Sequence, residues 1–193
     1  MPKHCWILAV SVGLLVNPAP ALWGASGTFI HAGVPYTIKP WETDDGLPQG
    51  SILSLTQTRD GYLWLGTLNG LVRFDGIRFT VFDESNTPGL NSSRIVSLFE
   101  DSRSNLWVGT ETAGTTLFKD GQATRQPIGQ GGKERRLVSA CEDAQGVVWL
   151  YAANGELWRY ENGHLQPSFL VDRGRDSNCR AIIAETNGPV WVG

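Results

Sequence analysis

The sequence predicts an all-β chain, an incomplete β-propeller, and three observations predict it. Trp64-Leu65-Gly66-Thr67 returns as Trp107-Val108-Gly109-Thr110, then altered as Trp149-Leu150-Tyr151-Ala152, and last as Trp191-Val192-Gly193. These tryptophans are spaced by 43, 42 and 42 residues, and a fixed period of that length marks a repeat architecture. Between them, turn dipeptides cut the chain into short runs rich in β-branched and aromatic residues, and no 3.6-residue apolar stripe of a helical solenoid is visible.

The repeat unit is legible in its first copy. Asp60-Gly61, Asn69-Gly70 and Asp75-Gly76 are favoured two-residue hairpin connections. They separate Ile52–Gln57, Tyr62–Thr67, Leu71–Phe74 and Ile77–Phe82. Four strands joined by three tight turns form an antiparallel meander, and a meander of roughly 42 residues is a propeller blade. Blades are expected over 52–82, 95–128, 137–170 and, cut short, 180–193. About three and a half blades do not close a ring, so the chain reads as the amino-terminal part of a longer protein.

Upstream, residues 1–21 have the form of a secretory signal: Lys3 and His4, the apolar run Cys5–Val16, and an Ala19-Pro20-Ala21 cleavage site. The run is too short to span a bilayer, and Pro18 and Pro20 interrupt it. Residues 22–34 read as a linker. Pro35–Trp41 reads as a lone strand that completes the last blade and closes the ring. The loops after Pro35–Trp41 and after Ile77–Phe82 each carry Gly-Leu at the same offset, Gly46-Leu47 and Gly89-Leu90.

Net charge is −3 over 193 residues, with 18% charged residues, which points to neither nucleic-acid binding nor disorder. At one fixed place per blade, Trp64, Trp107, Trp149 and Trp191 suit packing between adjacent sheets better than sugar stacking. Gly66 and Gly109 suit close sheet approach, and Thr67 and Thr110 suit strand or turn hydrogen bonds. A sialidase Asp-box needs aspartate five residues before its tryptophan, where this chain has Arg59, Ser102, Ala144 and Thr186. Asp60, Asp101 and Asp143 therefore read as solvent-facing turn formers. His4, His31 and His164 are scattered, and no phosphate loop, nucleophile elbow or metal motif occurs, so neither cofactor, metal nor catalytic residue is indicated. Cys141 and Cys179 lie at different offsets from their tryptophans, about 13 Å apart along the strand direction, so free thiols and no disulfide are expected.

The inter-blade loops, 42–51, 83–94, 129–136 and 171–179, are the least alike. In a propeller they share one face with the turns joining second and third strands. The later two are basic, with Lys133, Arg135 and Arg136, then Arg173 and Arg175. A cationic patch for carboxylate or sulfate groups of an acidic glycan is one reading, and solvated loops are the other.

The patterns Gly46–Ile52, Asp60–Thr67 and Asn69–Gly76 resemble the two-component regulator propeller repeat, and the resemblance runs over 35–193 with a departure at Tyr151 and Ala152. It implies the periplasmic part of an inner-membrane sensor, exported and ligand-binding. In that family two seven-bladed propellers precede an immunoglobulin-like domain, one membrane span and a cytoplasmic histidine kinase. It further implies an oligosaccharide ligand, a homodimer, and attachment to the membrane only through a carboxy-terminal span. This stretch would sense and not catalyse. The alternatives are the same sensor fused to a diguanylate cyclase, a secreted carbohydrate-active lyase or hydrolase, and a plain surface scaffold.

Overall fold

Short runs of alternating side chains cannot bury a face alone, so here they pair into small antiparallel sheets that stack. The structure, a computed structural model, describes residues 27–129, 133–170, 180–186 and 188–193. It begins with a hairpin of β1 (Gly27–His31) and β2 (Val34–Ile38), followed by a short 3-10 turn at Thr43–Asp45. Blade one is β3 (Ser54–Gln57), β4 (Leu63–Thr67), β5 (Gly70–Phe74) and β6 (Phe79–Phe82). Blade two is β7 (Ile95–Glu100), β8 (Leu106–Thr110), β9 (Thr115–Lys119) and β10 (Gln122–Gln126). Blade three is β11 (Leu137–Glu142), β12 (Val148–Ala152), β13 (Glu156–Glu161) and β14 (His164–Leu170). Two further strands, β15 (Ile182–Ala184) and β16 (Val190–Val192), form the start of a fourth. Each complete blade is a four-stranded sheet with strands in sequence order, so the fold is all-β and built of propeller blades.

The first strands β3, β7, β11 and β15 neighbour one another in succession. Two polar links tie them: Leu98 N donates to Ser54 Oγ at 3.0 Å, and Ile182 N to Ser139 Oγ at 3.3 Å. Apolar layers fill the gaps between blades. Trp64, Leu71, Leu90, Ile95, Leu106, Val108 and Phe118 form the first layer, and Trp107, Ile128, Leu137, Val148, Leu150 and Trp158 contribute to the second. Leu47, the counterpart of Leu90, covers the other face of blade one with Leu65, Val72 and Phe74. There Trp41 packs edge-on against Phe74, with ring centroids 4.8 Å apart.

Two readings of the sequence change. Residues 22–34 are not wholly a linker, and Pro35–Trp41 is not a lone strand: β1 lies within the first stretch and pairs with β2, Gly27 opposite Ile38 and His31 opposite Val34. The turns of blade one also differ from the two-residue type in which both residues have positive φ. Only the glycines do so there, with φ of 92° at Gly61, 137° at Gly70 and 95° at Gly76. Both-positive turns occur instead at Ala32-Gly33, Asp120-Gly121 and Asn162-Gly163.

Gly66 and Gly109 mark where neighbouring blades come closest. A Cβ at Gly66 would stand 3.0 Å from Ile95 Cγ2, and one at Gly109 would stand 2.8 Å from Leu137 Cβ. The latter neighbour is fixed to its own backbone and has no room to swing aside. Gly109→Ala is expected to destabilise the protein by about 1–3 kcal/mol, the usual cost of overpacking, measured by denaturant unfolding. An unchanged midpoint would contradict so close an approach.

Candidate functional site

Each repeated tryptophan is fixed by one hydrogen bond from its indole N–H to the residue six positions earlier. Trp64 donates to Thr58 Oγ1 at 3.1 Å, Trp107 to Asp101 Oδ2 at 3.0 Å, Trp149 to Asp143 Oδ2 at 2.8 Å and Trp191 to Glu185 Oε1 at 2.8 Å. The acceptor sits where the first strand ends and the donor in the second strand, so the bond ties off the first turn of the blade. This corrects the reading of Asp101 as solvent-facing, for it is fully buried. Its Oδ1 accepts from Arg103 N and Asn105 N, and its Oδ2 from Asn105 Nδ2 as well as the indole. A buried carboxylate is tolerable when its lone pairs are satisfied in this way. Asp143 repeats the pattern half-buried, accepting from Gln145 N and Val147 N.

With their rings buried and their N–H groups committed, Trp64 and Trp107 offer no platform to a sugar. The threonines after them hold the next turn. Thr67 Oγ1 donates to Gly70 O and accepts from Asn69 N, while Thr110 Oγ1 donates to Gly114 O and accepts from Ala113 N.

Those turns and the inter-blade loops meet on one face. Leu68 N donates to Gln49 Oε1 at 3.1 Å, Glu111 N to Arg94 O at 2.8 Å, and Ala153 N to Arg136 O at 2.9 Å. Arg94 is also ion-paired with Glu111. The loop 129–136 is closed at its base by Arg135 N donating to Ile128 O at 2.8 Å, and Ile128 is buried in the inter-blade core. This brings Lys133, Arg135 and Arg136 onto one short segment, Lys133 and Arg136 exposed and Arg135 half-buried. Glu134, between them, is ion-paired with Arg125 from β10, which spends that carboxylate on a cation outside the loop. Arg135 Nε is buried without a hydrogen-bond partner. The loop thus presents three cations and no free carboxylate of its own. The pairing of Glu134 was not foreseen, though its partner lies only nine residues away. Arg173 and Arg175 lie outside the described residues, as does Cys179.

On the opposite face, the turns of blades one and two enclose a cleft of about 290 Å³ lined by Asp60, Arg73, Glu100, Lys119 and Asp120 among others. Arg73 stacks over Tyr62 with its guanidinium carbon 4.6 Å from the ring centroid, a contact that already occupies one face of the guanidinium. That commitment makes this cleft the weaker candidate.

Cys141 is a free, buried thiol. Burial first, and then the Asp143 carboxylate, push its pKa up to about 11. Because the folded value lies above the ordinary 9.0, the thiol contribution to stability is intact below pH 9 and is lost as pH rises through 11. Cys141 should therefore resist alkylation at pH 8 in the native protein and label rapidly once denatured, as read by peptide mapping. Rapid native labelling would contradict its burial.

Residues 46–69 and 89–112 match the family described as two component regulator propeller. A histidine kinase of Formosa agariphila is 38% identical over 47 residues, which is 24% of this chain and 3% of the kinase. Among solved structures, the extracellular domain of a B. thetaiotaomicron protein, described as a one-component and as a hybrid two-component system, superposes with a TM-score of 0.63 at 25% and 24% identity; the match covers 84% of this chain and 22% of that domain. A virginiamycin B lyase from Staphylococcus aureus shares the fold alone, with a TM-score of 0.60 at 16% identity over 83% of this chain and 53% of the lyase. The chain thus spans only a small part of the kinase and about a fifth of the extracellular domain. Among the described residues no helix is long and apolar enough to cross a membrane.

Proposed function

We propose that this chain, whose repeats are those of the two component regulator propeller family, is part of the exported, ligand-sensing region of a signalling protein. The observation that carries the reading is the placement of both family-matched segments. Each runs from an inter-blade loop through the first two strands of a blade to the turn on the loop face. About a fifth of an extracellular domain of a two-component system superposes on these units. A rigid stack of sheets presents variable loops, which suits binding.

The loop at 129–136 supports the reading of an acidic ligand. Lys133, Arg135 and Arg136 form a cation-rich edge on the loop face, which suits an oligosaccharide bearing carboxylate or sulfate groups. Binding there would shift the packing of a dimer and bias a histidine kinase, the output domain read from the family, between two states through a single span. That ligand, dimer and output are all part of the proposal.

An oligogalacturonate and a neutral oligosaccharide of equal length, titrated calorimetrically, test it. Lys133→Ala with Arg135→Ala and Arg136→Ala is expected to weaken the acidic ligand by more than about tenfold, since charge-assisted hydrogen bonds contribute about 1.5–3 kcal/mol each. Raised salt should weaken it as well. Equal affinity of the triple variant and the parent would overturn the assignment of this loop, and binding of neither sugar would overturn the glycan reading.

A further inference from the structure

Building on the acidic-ligand reading above, we infer that Arg136 is the residue that grips the acid group of the ligand, and that the small side chain of Ala153 is what leaves it free to do so. The repeat supplies its own comparison. Arg94 and Arg136 each stand thirteen residues before the tryptophan of their blade, and Glu111 and Ala153 each stand four residues after it. The backbone joins the two members of each pair in the same way. Glu111 N donates to Arg94 O at 2.8 Å, and Ala153 N donates to Arg136 O at 2.9 Å. The neighbouring strand pairs agree: Ile95 lies opposite Thr110 and Leu137 opposite Ala152, each followed by a shift of register. Arg94 and Arg136 are one position seen in two blades, and both are exposed.

Their electrostatics differ. Arg94 Nε donates to Glu111 Oε2 in an ion pair, so its charge is neutralised within its own blade. Opposite Arg136 that carboxylate is missing, because the residue there is alanine. The acids nearest in sequence to Arg136 and Ala153 are turned elsewhere. Glu134 pairs with Arg125 of β10, and its carboxylate lies beside Gly114 in the turn of blade two. Glu156 Oε2 accepts from Trp158 Nε1 at 3.1 Å. Among the described residues, the Arg136 guanidinium has neither an ion-pair nor a hydrogen-bond partner.

The segment that carries this cation is held in place on both sides, by Arg135 N donating to Ile128 O and by Ala153 N donating to Arg136 O. A guanidinium fork matches the paired oxygens of a carboxylate or sulfate group. An acid group of the ligand takes at Arg136 the place that the Glu111 carboxylate takes at Arg94. Blade one has Ser51 and Leu68 at the two positions, and so carries no charge at either. Among the three complete blades, the third is the one that offers an arginine here without its acid. One side chain just after the tryptophan motif thus sets whether a blade reads acid or silences its own cation.

The test puts the missing acid back. Ala153→Glu in the 193-residue chain sets a carboxylate opposite Arg136 without removing any cation. It is expected to weaken oligogalacturonate binding at least about tenfold in calorimetry, the loss of one charge-assisted contact. Ala153→Gln has the same reach without the charge, and is expected to stay within about threefold of the parent. In the opposite direction, Glu111→Ala leaves Arg94 in the state of Arg136 and is expected to strengthen binding. Unchanged affinity of Ala153→Glu, an equal loss in Ala153→Gln, or no gain in Glu111→Ala would each overturn the role given to Arg136 and Ala153. If the parent still binds the acidic sugar in those cases, the acidic-ligand reading stands without it. A parent that binds no oligogalacturonate would overturn both.

Discussion

One hydrogen bond organises the chain: the indole N–H of each repeated tryptophan to the side chain six residues before it. Without it, a ring of that size packed between sheets would leave a buried donor unsatisfied, at a cost of about 1–3 kcal/mol. With it, the turn between first and second strands is fixed, and the indole becomes a wall against which the next blade packs. Phe118 of the next blade closes on Trp64 beside Phe82 of its own blade, and Tyr160 closes on Trp107. Local turn and inter-blade contact are thus two uses of one side chain, and that is why the period survives where neighbouring residues have diverged. The acceptor itself is free to change, from Thr58 to Asp101, Asp143 and Glu185, because the geometry asks only for an oxygen.

Further polar links join the first turns of adjacent blades. Glu100 accepts from Arg59 N at 3.1 Å, Glu142 from Ser102 N and Oγ, both at 2.6 Å, and Arg103 Nη1 donates to Gly146 O at 3.0 Å. All of these lie on the face away from the inter-blade loops. The scaffold is stapled on one face and variable on the other, the division of labour expected of a fold that holds binding loops on a rigid frame. Stacked units of this kind couple mainly to their neighbours.

Much of this was legible in the sequence. The tryptophan beat gave the blades, and the small residues beside it gave the close approach at Gly66 and Gly109, because both depend on local patterns repeated at a fixed offset. What escaped depended on partners. Asp101 sits at the right offset for the indole, yet a lone Asp beside a turn reads equally as solvated until the ring is seen to face it. The hairpin at Gly27–Ile38 escaped because Ala32-Gly33 is a less favoured turn dipeptide than Asp-Gly or Asn-Gly, although it adopts the same φ values. In the basic loop, the sequence showed Lys133, Arg135 and Arg136 but not that Glu134 is taken up by Arg125, which makes the loop more cationic than its composition.

The bond between Trp107 and Asp101 is the place to test the account. A double-mutant cycle of Trp107→Phe and Asp101→Ala, read by denaturant unfolding, isolates their interaction from the cost of each change alone. A coupling of about 1–2 kcal/mol is predicted, since Asp101 Oδ2 meets the indole N–H at 3.0 Å in a fully buried site. Strict additivity of the two substitutions would contradict the claim that this hydrogen bond holds the blade together.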